Sequence, residues 1–160
     1  MIVRRYQATD LERVVAVFTA AIHTLASDHY DEIQRSAWAP QSPDLDEWRH
    51  RLALVQTVIV EEGDRLAGFL SYESDGHIDL LYTAPQCARS GVASALYRHV
   101  EAQLHSSGVQ QLFTEASLVA RPFFERHGFR VREEQTVHRR GISFRRFRMC
   151  KSLTGATIDS

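Results

Sequence analysis

The segment that most constrains this chain is residues 77–107, where a strand, a turn and a helix follow one another directly. The run HIDLLYTAP is rich in branched and aromatic residues and ends at Pro85, as expected of a strand that leads into a turn. Beyond the turn, apolar residues recur four positions apart, at Val92, Leu96, Val100 and Leu104. This spacing predicts a helix from about 91 to 107, which Gly108 ends.

The other segments predict a mixed α/β or α+β fold. Strands are predicted at 2–6, 57–62, 65–74 and 110–117 with two more within 129–150, and helices at 10–26, 45–54 and 122–128. Thr9 and Glu12 have the spacing of a capping box at the start of the first helix. With 160 residues, of which 44% are apolar, the chain is long enough for one sizeable core. We predict a single domain over 1–153 and a flexible tail at 154–160.

Several classes of protein are disfavoured by what the sequence lacks. No window approaches the roughly 18 consecutive apolar residues of a membrane span, and the start MIVRRYQATD has no apolar signal core. Cys87 and Cys150 form no CxxC pair, which suits a reducing compartment, so we expect a cytoplasmic protein without a membrane partner. The eight histidines show no HxH or HExxH spacing, and we expect no metal.

The charge of the chain is distributed unevenly. Residues 121–151 carry ten Arg or Lys against three Glu, whereas residues 1–120 carry nine basic and sixteen acidic side chains. Within the basic part, RRGISFRR presents Arg139, Arg140, Arg145 and Arg146. These arginines could face nucleic acid or a phosphorylated cofactor, or could belong to a solvated strand pair. The net charge of −1 argues against nucleic acid, and we expect none as a partner.

The turn before the predicted helix has the features of an anion site. A helix N-terminus presents unpaired N–H groups and the positive end of the helix dipole to phosphate oxygens. Small residues near Gly91 would let a diphosphate approach the backbone, and Arg89 could add a charged contact. The sequence has neither the GK[ST] of a P-loop nor a GxGxxG fingerprint, so a plain turn from strand to helix remains an alternative.

Two motifs together resemble the GCN5-related N-acetyltransferase (GNAT) family. LYTAPQCARSGVASAL is similar to the pyrophosphate-binding motif of that family, and SLVARPFFERHGF is similar to its second signature. The resemblance extends over nearly the whole chain, to about Leu153. It implies a mostly antiparallel central sheet flanked by helices, with a splayed cofactor cleft between the fourth and fifth strands. It also implies acetyl-CoA as the co-substrate, with an amine as the acceptor.

The resemblance assigns cofactor roles position by position. The backbone N–H groups that would hold the pyrophosphate belong to Arg89, Ser90, Gly91, Val92, Ala93 and Ser94. The strand residues Leu81, Tyr82 and Thr83 would pair with the pantetheine arm. Ser117 stands where the family often has Asn, and Phe124 where it often has the Tyr that protonates the departing thiolate. Ala88 replaces the usual Arg or Gln of the pyrophosphate motif, so that contact is lost or moved to Arg89.

The family's reaction implies direct attack of the amine within a ternary complex. An alkylamine is mostly protonated at neutral pH, so a base should help, and the candidates are Asp79 and Glu115. The thiolate could take its proton from Tyr82, Tyr30 or water, or leave unprotonated, because the phenyl ring of Phe124 has no proton to donate. Each of these side chains could equally have a purely structural role.

The acceptor pocket of the family usually forms around its first helices. This implies substrate contacts from His23, Tyr30 and Trp38, although Trp38 could simply cover the edge of the core. The spacing of Tyr30, Gln34, Ala37 and Trp38 also resembles a bacterial subgroup of the family whose substrate is unassigned. We therefore expect an N-acetyltransferase for a primary amine of a small molecule or peptide. The alternative is a non-catalytic acyl-CoA-binding module, and in either case exposed C-terminal strands would permit a homodimer.

Overall fold

The computed structural model describes residues 1–154, so the predicted tail lies almost entirely outside the described residues. The helices are α1 (Leu11–Leu25), α2 (Glu32–Trp38), α3 (Leu45–Ala53), α4 (Val92–Ser106) and α5 (Arg121–Arg126). The strands are β1 (Val3–Arg5), β2 (Gln56–Glu62), β3 (Arg65–Tyr72), β4 (His77–Thr83), β5 (Gln111–Ala116), β6 (Arg130–Arg139) and β7 (Ile142–Ser152). Within the described part, no helix is both long and apolar enough to span a bilayer.

The strands form one sheet in the order β1-β2-β3-β4-β5-β7-β6. Its neighbours are antiparallel except β4 and β5, which run parallel because α4 connects them. The predicted mixed and mostly antiparallel sheet flanked by helices is therefore confirmed. Because β7 lies between β5 and β6, the C-terminal hairpin is brought beside the parallel pair.

The sheet opens between β4 and β5. The two strands pair through His77 with Phe113 and Ile78 with Thr114, at the start of β4. Asp79 is an extra residue in β4, since Ile78 pairs with Tyr72 while Leu80 pairs with the adjacent residue of β3. Such a bulge bends its strand and turns its side chain to a new direction. Beyond it β4 continues along β3, and this divergence is the predicted splay between the fourth and fifth strands.

Helices cover both faces of the sheet. On one face Phe18 of α1 packs edge-on against Tyr82, with ring centroids 4.9 Å apart. On the other face α4 lies close to β3, because a Cβ at Gly68 would come within 2.8 Å of the Val92 side chain. Glycine at 68 therefore allows the close approach that sets the N-terminus of α4 beside the end of β4.

The start of α1 differs from the sequence prediction. The box expected from Thr9 and Glu12 is replaced by Asp10, whose carboxylate accepts the Gln7 N–H at 2.8 Å. Asp10 is buried and also pairs with the guanidinium groups of Arg4 and Arg13, at 3.0 and 2.6 Å. These ion pairs lower the pKa of Asp10 to about 2. Asp10, rather than the predicted Thr9 and Glu12, therefore forms the capping interaction, and its pairs with Arg4 and Arg13 hold its carboxylate in place.

Candidate active site

Two cavities adjoin at the cleft between β4 and β5. The larger has a volume of about 540 Å³ and the smaller about 170 Å³. The side chains that line both are Trp38, Leu81, Tyr82, Ser117, Ala120 and Phe124. These shared residues are the boundary at which the cavities meet. A molecule in one cavity would therefore reach a molecule in the other there.

The smaller cavity collects residues from both sequence motifs. Six of the residues predicted to contact the cofactor line it, namely Leu81, Tyr82, Thr83, Ala93, Ser117 and Phe124. The strand β4 and α4 supply the first four, the segment before α5 supplies Ser117, and α5 itself supplies Phe124. The rest of its wall is mostly apolar and comes from α1 and α5. The fold thus brings the two motifs to one cavity although they are about thirty positions apart in the sequence.

The turn before α4 leaves backbone N–H groups available. Arg89 and Gly91 have left-handed backbones, with φ of 61° and 88°, and Gly91 is the N-cap of the helix. The first bond of the helical ladder runs from Ala95 N–H to the Gly91 carbonyl, at 3.0 Å. The N–H groups of the first turn, those of Val92, Ala93 and Ser94, therefore lie outside that ladder. Ser90 differs from the prediction, because its N–H donates to the Cys87 carbonyl at 3.3 Å.

The boundary between the cavities contains one phenol and no second tyrosine. Phe124 is buried, and its ring packs against Phe129 with centroids 5.0 Å apart. The hydroxyl of Ser117 accepts the Ala120 N–H at 3.1 Å, which helps to begin α5. Burial raises the pKa of Tyr82 to about 12, so its hydroxyl keeps its proton at neutral pH. Tyr82 therefore carries the one phenolic proton on this boundary.

Both predicted carboxylates line the larger cavity. Asp79 lies 3.5 Å from the Arg51 guanidinium, a long contact. Glu115 accepts from the His77 ring at 2.7 Å, and the other ring nitrogen of His77 lies 2.6 Å from Glu73. The hydrogen bond to His77 holds the pKa of Glu115 below its usual range, and the same bond raises the pKa of His77 to about 9. Glu115 is therefore ionised beside a protonated imidazole at neutral pH.

Sequence reasoning missed His77, because every histidine except His23 was considered only as a metal ligand. Glu115 lies 38 positions further along the chain, and only the parallel pairing of β4 and β5 brings the two together. The alternation of His77 and Asp79 on one strand was the available signal. Within residues 1–154, no group of three or more His, Cys, Asp or Glu side chains is arranged to hold a metal ion.

The predicted acceptor residues divide into two groups. Tyr30 and Trp38 line the larger cavity, with ring centroids 5.2 Å apart, and the Tyr30 hydroxyl accepts the Leu118 N–H at 3.0 Å. His23 is not part of either cavity wall, because its Nε2 lies 2.6 Å from the Ala39 carbonyl oxygen. It therefore links α1 to the end of α2. Trp48 and Arg51, which the sequence did not single out, complete the wall from α3.

The basic tract of the sequence lies in the same wall. Arg139, Arg140, Arg145 and Arg146, considered above as a nucleic-acid surface, all line the larger cavity. The hairpin of β6 and β7 carries them there, since it lies beside β5 in the sheet order. Arg139, Arg140 and Arg145 are exposed as well, so their charges belong to the wall of a cavity that is open to solvent.

Comparisons with known proteins agree with this architecture. Residues 25–151 match the family model described as "Acetyltransferase (GNAT) domain". An Escherichia coli K12 protein named "Uncharacterized N-acetyltransferase YafP" is 36% identical over 147 residues, 92% of this chain and 93% of that protein. A GCN5-related N-acetyltransferase structure from Rhodopseudomonas palustris is 31% identical, with a TM-score of 0.91 over 95% of each chain.

A more distant structure has the same fold. The PaiA N-acetyltransferase of Thermoplasma acidophilum, solved in complex with coenzyme A, is 16% identical with a TM-score of 0.75 over 94% of this chain and 98% of that one. The chain, with its splayed sheet and paired cavities, is that of an acyl-CoA-dependent N-acetyltransferase. It belongs to the GNAT family.

Proposed function

We propose that this protein transfers the acetyl group of acetyl-CoA to a primary amine of a small molecule or peptide, by direct attack within a ternary complex. The observation that carries the proposal is the meeting of two cavities at Tyr82 and Phe124. Helix N–H groups adjoin the smaller cavity and carboxylates line the larger. The phosphates of an acetyl-CoA donor suit helix N–H groups, an amine acceptor suits carboxylates, and transfer requires the two molecules to meet.

The smaller cavity suits the donor. The N–H groups of Val92, Ala93 and Ser94 and the positive end of α4 would bind the pyrophosphate. The edge of β4 that diverges from β5, residues 80–83, would pair its backbone with the amides of the pantetheine arm. Binding of coenzyme A by the PaiA enzyme, which has this fold, supports the assignment.

The larger cavity suits an amine. Asp79 and Glu115 would attract an ammonium ion and accept one of its protons, directly or through water. The amine nitrogen would then form a bond to the thioester carbon, and collapse of the tetrahedral intermediate would break the carbon–sulfur bond. The amide nitrogen releases its second proton, and coenzyme A leaves as a thiolate.

Tyr82 is the proposed proton donor to that thiolate. It lines both cavities and its hydroxyl is protonated at neutral pH, and the second proton released by the attacking nitrogen would return to the phenolate, so that the net transfer is from nitrogen to sulfur. Phe124, at the position where relatives carry tyrosine, has no proton to donate. The role of proton donor would therefore pass from the usual tyrosine on α5 to Tyr82 on β4.

An assay of thiol release with a panel of primary amines tests the proposal. Initial rates with both substrates varied should give intersecting lines, because direct attack needs a ternary complex, whereas a covalent acetyl-enzyme gives parallel lines. Asp79→Asn should lower kcat about 10- to 100-fold with an unchanged Kd for acetyl-CoA. Asp64→Asn, in the exposed turn between β2 and β3, is the matched control.

Two results would contradict the proposal. Parallel lines would remove the direct attack. Tight acetyl-CoA binding by the wild type without turnover of any amine would instead favour a non-catalytic acyl-CoA-binding module.

A further inference from the structure

The arginines of the larger cavity differ in whether their charge is compensated. Arg145 makes a bidentate pair with Glu134, at 2.8 and 3.1 Å. Arg146 donates to the neutral amide oxygen of Gln135 at 2.8 Å, and Arg140 to the Ala37 carbonyl at 2.6 Å. The guanidinium of Arg139 has no hydrogen-bond or ion-pair partner among residues 1–154. Arg139, Arg140 and Arg146 therefore keep positive charges without a carboxylate partner.

Arg139 lies among like charges. Arg139 is exposed overall, but partial desolvation of its guanidinium lowers its pKa, and the charges of Arg51, Arg146 and Arg140 act in the same direction. The Tyr82 hydroxyl is near enough to act in the opposite direction. A guanidinium with five donors and no acceptor, beside other cations, is an arrangement that a bound anion would relieve.

The turn that carries these arginines has an unusual residue choice. Arg140 and Gly141 join β6 to β7 with φ of 51° and 79°, so both central residues are left-handed. Two-residue turns of this kind favour Asn-Gly, because a longer side chain has a steric cost at the first position. The Arg140 side chain instead donates a hydrogen bond to the carbonyl of Ala37 in α2, 103 positions earlier in the chain, and so links the tip of the hairpin to that helix.

The negative charges of the cavity lie elsewhere. Glu115 is bonded to His77, and Asp79 lies beside Arg51. Asp44 and Glu47 are exposed at the rim, on the first turn of α3. The cavity thus has a carboxylate region on β4 and β5 and a guanidinium region on the C-terminal hairpin.

We propose that the acceptor is an amine that also carries a carboxylate, held by Arg139 together with Arg140 and Arg146. This inference rests on the proposed function, because it identifies the acceptor of that reaction. The arginine fork matches the two oxygens of a carboxylate. A phosphate dianion would double both its attraction to these arginines and its repulsion from Asp79 and Glu115, so charge alone does not separate it from a carboxylate, and the substrate pairs that test the inference include one phosphorylated amine.

Matched substrates test the charge requirement. The wild type would be assayed with the common L-amino acids and β-alanine, each beside its carboxamide, and with phosphoethanolamine beside ethanolamine. We expect at least one amino acid to exceed its carboxamide by about 10- to 100-fold in kcat/KM, the range of one charged hydrogen-bonded contact. Equal or better use of the carboxamides, or preference for phosphoethanolamine, would overturn the inference.

A variant then assigns the preference to Arg139. Arg139→Gln should raise KM for the amino acid about 10- to 100-fold, leave kcat within a few-fold and leave the carboxamide unaffected, and Arg139→Lys should recover part of the loss. Arg130→Gln, an exposed arginine at the other end of β6, should behave as the wild type. An equal loss with the carboxamide would contradict the assignment, and calorimetric binding of acetyl-CoA checks that each variant is folded.

The outcomes separate this inference from the proposed reaction. If only amines without a carboxylate were acetylated, the proposed transferase activity would stand and the inferred carboxylate site would be wrong. Binding of acetyl-CoA without acetylation of any amine would remove the proposed function itself.

Discussion

The two cavities of the cleft are built in different ways. Part of the smaller comes from consecutive backbone, since β4 and the first turn of α4 are joined by one short turn, and side chains of α1, α2 and the segment 117–124 complete its wall. The larger is made from side chains of α1, α2, α3, both parallel strands and the C-terminal hairpin. Backbone groups recognise what every substrate of a family shares, whereas side chains from distant elements can change independently. This difference supports the proposal that the common cofactor binds in the smaller cavity and that the larger cavity sets the specificity of the individual protein.

Loss of the helix N-terminal site should give the largest effect. Gly91→Glu adds bulk and a negative charge at the N-cap of α4, and we expect acetyl-CoA binding to weaken about 1000-fold or more by calorimetry. Gly108→Glu is the matched control, because Gly108 at the other end of α4 has φ of 90° against 88°, and a Cβ added there would meet nothing within 4 Å. Equal losses in both variants would mean that backbone strain, rather than the anion site, caused the effect.

Removal of the boundary phenol should give the next largest effect. Tyr82→Phe should lower kcat about 100-fold while the Kd for acetyl-CoA changes little, since only proton transfer to the thiolate is lost. Tyr72→Phe, a buried tyrosine on β3 outside both cavities, is the control. An unchanged kcat for Tyr82→Phe would indicate that the thiolate leaves unprotonated or takes its proton from water.

The ion pair across the parallel strands should give the smallest effect, measured as stability. Because the pKa of His77 is raised to about 9, its contribution is fully present below pH 6.5 and is lost as the pH rises through 9. Glu115, whose pKa is lowered, loses its contribution as the pH falls below about 4.5. We expect His77→Gln to reduce the free energy of unfolding by on the order of 2 kcal/mol near pH 6 and by almost nothing near pH 10.

The same variant distinguishes the two candidate bases. Without His77 the pKa of Glu115 should return toward its ordinary value, because the hydrogen bond that lowers it is gone. The acidic limb of the pH profile of kcat/KM should then move to higher pH if Glu115 is the base, and a limb that stays in place would exclude Glu115. A pH-independent loss of stability would contradict the ion pair itself.

Much of the smaller cavity could be predicted from the sequence because its signals are local. Helical spacing in α4, the small residues around Gly91 and the strand before Pro85 are all features of neighbouring residues. The sheet and its splay also followed from the order of elements and the family resemblance. The larger cavity was predicted only through Tyr30, Trp38 and the two carboxylates, since charge and spacing give no information on which distant elements share a wall.

The basic hairpin illustrates the difference. Its composition alone suits nucleic acid, a phosphorylated cofactor or a solvated strand pair, because a sequence records charge without recording the shape of the surface that carries it. The position of β7 between β5 and β6 turns the same arginines into a cavity wall. His23 shows the reverse case. It was predicted to contact the substrate, but its ring is hydrogen-bonded with the Ala39 carbonyl and lies outside both cavity walls.

The sequence by itself determined the strand, turn and helix that offer backbone groups to an anion, together with the family, because these depend on residues close together in the chain. Only the tertiary structure decided that Asp79 forms a bulge, that His77 is hydrogen-bonded to Glu115, and that the C-terminal arginines line the larger cavity. The physical reason is register: pairing between β4, β5 and β7 joins residues far apart in the sequence, and that pairing is set by packing of the whole sheet.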